Sequence, residues 1–279
     1  MRLRLTLRRQ RADCCVSLNY AYYLSGAIYG WIEKSSPGYA SFLHDHGYQL
    51  EDTVRKFKHF CFSQLQVQDR QIDKSRGTMK IISPAVDWYI SMPIEEALQH
   101  LMVGIFEREE LYIDREYNRF TVEQVEALPE PVWERGMRFR MLSPITVSLP
   151  DTKDGRLGAH YLFHDDPRLS ECLRKNILNK YKSLHGMPPA DDSFDCTLDE
   201  KFIWDAKGRG RKISRLITIK EGKEDETKVR GFMCPVTIEG NPDLIKLAYE
   251  SGLGEKNSLG FGMIEHVANG KCQDSKMAE

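Results

Sequence analysis

Arg2-Leu3-Arg4-Leu5-Thr6-Leu7-Arg8 opens the chain with leucine at every second position and a polar residue between. Successive side chains of a strand point to opposite faces, so this period of two predicts a half-buried strand with a basic outer face. Downstream, Tyr20, Leu24, Ala27, Ile28, Trp31 and Ile32 recur at the spacing of one helix face, and Ser35-Ser36-Pro37-Gly38 marks its end. The rest of the half continues that strand–helix opening. It reads as a short turn over 39–44, strand-like segments over 57–67 and 80–90, and a helix starting at Pro93. That helix carries Ile94, Ala97, Leu98, Leu101 and Ile105, and a strand over 111–125 follows it.

The second half repeats the order. After the break at Pro129 and Pro131 come an extended segment over 138–149 and a helix with Asp166 as its cap and Pro167 at its first position. Leu169, Leu173, Ile177 and Tyr181 stripe that helix, which stops near Gly186. Strands are expected around 197–204, 213–219 and 229–238. Asn241 and Pro242 then start a last helix (Leu244, Leu247, Ala248) that runs into Gly252. The helices are too few for a doubly wound sheet, so the fold class is α+β: two tandem ferredoxin-like (β-α-β-β-α-β) domains. The first spans 1–130 and the second 131–267, with a polar, flexible tail over 268–279.

Composition narrows the function. At 279 residues the chain is long enough for two self-sufficient cores. Lys plus Arg is 40 against 41 for Asp plus Glu, a net charge of −1, which excludes an indiscriminate polycation. No stretch reaches the roughly 18 consecutive apolar residues of a spanning helix. Residues 1–11 are charged without an apolar centre, so an untargeted cytoplasmic protein with no membrane contact is expected. The seven cysteines contain no C-x-x-C pair and read as reduced thiols.

Four features carry chemistry. Gly252-Leu253-Gly254-Glu255-Lys256-Asn257-Ser258-Leu259-Gly260-Phe261-Gly262 lies between a helix and a strand. Its glycines permit positive φ and close approach to a ligand, while Lys256, Asn257 and Ser258 offer donors to phosphate oxygens. It lacks the G-K-[ST] of a Walker loop, and the same spacing also fits a helix C-cap followed by a hairpin turn. His44-Asp45-His46 offers imidazoles that exchange protons near neutral pH or grip a metal, although no further ligand cluster accompanies them; a pair of surface histidines looks the same. Tyr29 lies roughly 140° from the centre of the first helix's apolar stripe, which suits either a functional hydroxyl or an ordinary surface tyrosine. Two acid-free runs, 1–11 and 207–215, hold five positive charges each. Each is either a phosphate-binding patch or a solvated face, and the glycines of the second suggest a mobile hairpin.

Taken together, Asn19-Tyr20-Ala21-Tyr22-Tyr23-Leu24-Ser25-Gly26-Ala27-Ile28-Tyr29, Phe42-Leu43-His44-Asp45, Phe57-Lys58-His59-Phe60-Cys61-Phe62-Ser63 and the glycine-rich segment resemble the CRISPR repeat-processing endoribonucleases of the RAMP superfamily. The match spans both ends of the chain; between about 90 and 242 only the layout is shared. The resemblance implies tandem ferredoxin-like domains and cleavage of precursor CRISPR RNA without a metal or other cofactor. A ribose 2′-hydroxyl attacks, leaving a 2′,3′-cyclic phosphate and a 5′-hydroxyl. It implies Tyr29, His44 and Lys58, all in the first domain, as the catalytic residues: His44 moves the proton, Tyr29 is its partner and Lys58 stabilises the transition state. RNA contacts are expected at Gly252, Gly254, Lys256, Asn257, Ser258, Gly260 and Gly262, and at Arg209, Arg211 and Lys212. The implied partner is CRISPR repeat RNA, with a CRISPR effector complex and a second copy of the chain as further candidates. A one-step slip in the match would exchange His44 with His46, or Lys58 with Lys56. Two other readings share these residues: a non-catalytic RNA-binding subunit of an effector complex, and a phosphohydrolase holding a metal on His44-Asp45-His46.

Overall fold

A computed structural model describes residues 1–50, 56–153 and 156–267; the tail expected over 268–279 lies outside them. The strand Arg2–Arg9 forms as its alternation predicts. Leu3, Leu5 and Leu7 are fully buried. They stand opposite Ile90, Trp88 and Val86 on one side, and Ala127, Val125 and Val122 on the other. The five-stranded sheet runs Cys61–Phe62, Ala85–Ser91, Arg2–Arg9, Arg119–Leu128, Glu110–Tyr112. A four-stranded sheet in the second half runs Phe194–Leu198, Val236–Gly240, Gly136–Met141, Ile264–His266. In both sheets the β-α-β-β-α-β strands lie in the spatial order second, third, first, fourth, so the repeat expected from the element order is real in three dimensions.

Six helices accompany the sheets among the described residues: α1 (Ala21–Ser35), α2 (Pro37–Ser41), α3 (Glu95–Glu107), α4 (Leu169–His185), α5 (Glu200–Gly208) and α6 (Pro242–Ser251). None is long and apolar enough to cross a membrane. α1 and α3 pack against each other at very close range. A Cβ on Gly104 of α3 would stand 1.8 Å from the Trp31 carbonyl oxygen of α1, so only glycine admits this approach. One hydrophobic core gathers residues from Leu3 to Val122 and another from Met137 to Ile264.

Several long strands predicted from composition divide, each for a local reason. Over 57–67 the strand divides into Lys56–Phe57 and Cys61–Phe62, with His59 between them at φ +49°, and further on Gln66 alone bridges Asp87. The 80–90 segment breaks at Ser83-Pro84 into Thr78–Ile81 and Ala85–Ser91, which join different sheets. Residues 111–125 split around a turn with Asp114 at φ +69°, 138–149 splits into Gly136–Met141 and Ser148–Lys153, and 229–238 breaks at Cys234-Pro235. The strand expected over 197–204 is wrong past Leu198. The Asp199 carboxylate accepts the Phe202 N–H at 2.9 Å and starts α5 there. The helix expected at Pro93 starts at Glu95. Asp166 binds the backbone N–H of Arg168 rather than capping α4, which begins at Leu169. The short turn over 39–44 is helical, α2 running into one wide turn at Phe42–His46.

Two hairpins of the second half depart from the repeat, Ser148–Lys153 with Arg156–Tyr161, and Ser214–Ile219 with Thr227–Phe232. The second docks on the opposite domain, where Asn19 Oδ1 accepts the Thr218 N–H at 2.9 Å and Ile217, Ile219 and Val229 pack with Phe261 and Tyr22.

Candidate active site

Tyr29 rides on α1, where the apolar stripe that buries Leu24, Ile28 and Ile32 leaves it at the edge of the core. It is half-buried rather than outward: its ring centre lies 5.6 Å from that of Phe60 and 5.5 Å from that of His44, both edge-on, and Ser258 stands beside its hydroxyl. Burial pushes the phenol up to about 12, against the opposing pull of Ser258.

His44 reaches Tyr29 because the chain makes the wide turn Phe42–His46 and leaves it through Gly47. Gly47 sits at φ +63°, its N–H on the Phe42 carbonyl at 2.7 Å, and a Cβ there would meet the Phe57 oxygen at 2.7 Å. The His44 ring is largely exposed, and its Nδ1 stands 2.7 Å from Asp45 Oδ1. The bonds from His44 and Ser41 hold the Asp45 carboxyl below the usual carboxylate range. A carboxylate on Nδ1 orients the ring and leaves Nε2 to exchange protons. Lys58 donates to the carbonyls of Leu43 and, at 2.5 Å, His44, which leaves one N–H of its ammonium uncommitted. Burial, then the neighbouring Lys56 charge, lowers the Lys58 pKa. Lys56 donates to the Asp45 carbonyl at 2.5 Å. The histidine ring that meets Tyr29 is that of His44, so the geometry groups Tyr29 with His44.

The glycine-rich segment is not a hairpin turn. Its centre is one tight helical turn, Asn257–Leu259, and Gly252, Gly254, Gly260 and Gly262 all have positive φ. A Cβ on Gly262 would lie 1.9 Å from the Leu253 oxygen, so the chain folds back on itself with no room for a side chain. The expected phosphate donor Asn257 is turned inward: its amide donates to the carbonyls of Leu253 (3.3 Å) and Phe261 (3.0 Å). Ser25 Oγ donates to the Ser258 carbonyl at 2.7 Å and ties the loop to α1.

Between the two domains lies an open cleft of about 440 Å³, walled by Lys56, Lys58 and Phe60 on one side. Ser148, Leu149 and Pro150 from the first hairpin and Lys256 and Ser258 from the loop form the other. Lys58 and Ser258 connect this cleft directly to His44 and Tyr29. The basic run 1–11 is not a free phosphate face. Arg2 is buried under Tyr249, its guanidinium 3.4 Å from the ring centre, Arg4 and Arg8 pair with Glu126 and Glu123, Arg9 binds carbonyls and Arg11 binds Asp13. The run 207–215 is not a mobile hairpin: it spans the end of α5 and the start of the Ser214–Ile219 strand. Arg209, Arg211 and Lys212 are exposed there, outside the cleft wall. Among the described residues no three His, Cys, Asp or Glu side chains are grouped to hold a metal.

The fold therefore brings Tyr29, His44, Lys58 and the glycine loop together and leaves Arg209, Arg211 and Lys212 apart. Pattern reading missed Asp45 as the partner of His44, though adjacency alone suggested it, and Lys180, which lies buried beneath the loop. Lys180 stands three residues after Ile177 on the apolar stripe of α4, and a lysine on such a stripe was the available signal.

Comparison with known proteins covers almost the whole chain. A family model described as the N-terminal part of CRISPR-associated protein Cas6 matches residues 15–126, and one for the C-terminal part of CRISPR-associated protein Cas6 matches 128–266. The CRISPR-associated endoribonuclease Cas6 1 of Methanocaldococcus jannaschii is 28% identical over 278 residues, 99% of this chain and 97% of its own. The CRISPR-associated endoribonuclease Cas6 of Pyrococcus furiosus is 27% identical over 269 residues, 95% of this chain and 88% of its own. A solved structure of a Cas6-related protein from Pyrococcus furiosus matches with a TM-score of 0.80 at 25% identity, covering 96% of this chain and 99% of that one. With both family models matched end to end and the same tandem fold in place, the chain belongs to the CRISPR-associated Cas6 family.

Proposed function

We infer that the protein is an endoribonuclease that cuts precursor CRISPR RNA within its repeats, without a metal ion, leaving 2′,3′-cyclic phosphate and 5′-hydroxyl ends. The observation that carries this reading is the meeting of Tyr29, His44 and Lys58 at one end of a basic interdomain cleft edged by the glycine loop. His44, oriented by Asp45, takes the proton of the attacking 2′-hydroxyl on Nε2. Tyr29 is the wrong group for that role, because burial pushes it up to about 12 and keeps it protonated at neutral pH. It instead gives its proton to the leaving 5′-oxygen, which departs as the 5′-hydroxyl, and the proton held by His44 restores the phenol afterwards. The free N–H of Lys58 faces the negative charge that builds on the phosphorane. Lys256 and backbone groups of the loop hold the strand, and Arg209, Arg211 and Lys212 bind phosphates further along it. The proposed setting is the cytoplasm, with a CRISPR effector complex as recipient of the cut RNA.

The test is incubation of the purified protein with its cognate repeat RNA in EDTA. Cleavage is expected, and a 2′-deoxy sugar at the cut site abolishes it. RNA that is bound but left whole would instead favour the non-catalytic subunit.

A further inference from the structure

Lys180 lies on α4, 72 residues before the first loop glycine, and is 3% exposed. Its ammonium donates to the carbonyls of Gly252 at 2.6 Å and Gly254 at 2.9 Å, and to Asn257 Oδ1 at 2.7 Å. Three acceptors and no donor face the group, an arrangement that uses all three N–H bonds of the charged form. Burial lowers its pKa to about 7, against the opposing pull of Cys61 and Glu255. All three acceptors belong to the loop. Asn257, fixed by Lys180 at its oxygen and by Leu253 and Phe261 at its nitrogen, is followed at once by Ser258, whose side chain meets Tyr29 and whose carbonyl is held by Ser25.

We propose that Lys180 is a positioning residue for cleavage: its buried ammonium locks the loop in the one conformation that presents Ser258 to Tyr29 and Lys256 to the cleft. One turn further along α4, Ser183 ties the opposite wall to the same helix. Its Oγ accepts from His59 Nε2 at 2.9 Å and donates to the Lys180 carbonyl at 2.8 Å, while His59 Nδ1 reaches Ser251 Oγ at 3.2 Å. Since His59 stands between Lys58 and Phe60, α4 holds both sides of the site in register. Lys180 touches neither Tyr29, His44 nor Lys58, and its influence passes through Asn257 and Ser258.

This inference rests on the endoribonuclease reading, and its test keeps the two apart. Single-turnover cleavage at saturating repeat RNA is compared for wild type, His44→Ala, Lys180→Met, Ser258→Ala and Lys180→Met/Ser258→Ala, with affinity and circular dichroism measured alongside. Lys180→Met is expected to lose about 100-fold in rate, the scale of an ångström-sized misplacement. Its affinity should change far less, and its spectrum should remain native. Because Lys180 acts through Ser258, the double variant is expected within about threefold of the slower single one; independent effects would multiply. A folded Lys180→Met that cuts at the wild-type rate, or effects that multiply, overturns the proposal. If Lys180→Met does not fold, Lys180→Gln, which keeps two N–H donors, is read in the same assay. Failure of both to fold at any temperature assigns Lys180 to folding and also overturns it. A wild type that cuts no faster than His44→Ala refutes the endoribonuclease reading instead.

Discussion

His59→Gln should remove a specific part of the protein's acid sensitivity. His59 is 4% exposed, and both ring nitrogens are engaged between Ser183 and Ser251. The Ser183 proton is spent on the Lys180 carbonyl, so Nε2 donates and Nδ1 accepts, which describes a neutral imidazole. Burial, aided by the charges of Lys180 and His185, pushes its pKa from 6.5 down to about 3. Because the folded value lies below the unfolded one, the unfolded chain binds the extra proton. The stability that neutral His59 contributes is complete above pH 6.5 and is lost as pH falls towards 3. By pH 5 the loss comes to about 2 kcal/mol, since each pH unit between the two values is worth about 1.4 kcal/mol once the unfolded histidine is mostly protonated. Glutamine cannot titrate. Urea unfolding at pH 7.5 and pH 5 should show the wild type losing about 2 kcal/mol more than His59→Gln over that interval. The same loss in both proteins would refute the buried neutral bridge.

Three further outcomes follow from particular contacts. His44→Ala should lower the cleavage rate by about 10²- to 10⁴-fold with RNA affinity retained, whereas His46→Ala should cut normally; the reverse pattern would move the proton transfer to His46. Gly104→Ala forces a methyl group into the Trp31 carbonyl and should cost about 3 kcal/mol or more, visible as a lowered Tm and as poor soluble yield; a variant as stable as wild type would contradict the α1–α3 contact. Replacing Arg209, Arg211 and Lys212 together by Ala should flatten the slope of log affinity against log salt by about 2 without changing the single-turnover rate at saturating RNA; an unchanged slope would mean that these three side chains contact no phosphate.

Local pattern carried much of the fold. The alternation at Leu3, Leu5 and Leu7, the helical stripes through Ile28 and Ile177, and the Asn241-Pro242 start of α6 each depend on residues only a few positions apart, and all appear as read. Tyr29, His44, Lys58 and the four loop glycines could be picked out for the same reason, since each stands in a short motif. Strand ends were less legible. Val, Ile and Phe continue through 80–90 and 229–238, and what divides the strands is the missing N–H of Pro84 and Pro235 together with the sheet each piece joins.

By itself the sequence determined the two β-α-β-β-α-β halves, the family and the candidate chemistry, because periodicity and motif are properties of neighbouring residues. Only the tertiary structure decided which charges are free and which are spent. The arginines of 1–11 look identical in sequence, yet Arg2 is sealed against Tyr249, Arg4, Arg8 and Arg9 find partners from Ile82 to Glu126, and Arg11 turns to Asp13. Asn257 resembles a phosphate donor until Lys180 arrives beneath it from α4. Both outcomes depend on burial and on partners up to 247 residues away, and a hydrogen-bond donor enclosed with an acceptor in a low dielectric is no longer available to a ligand.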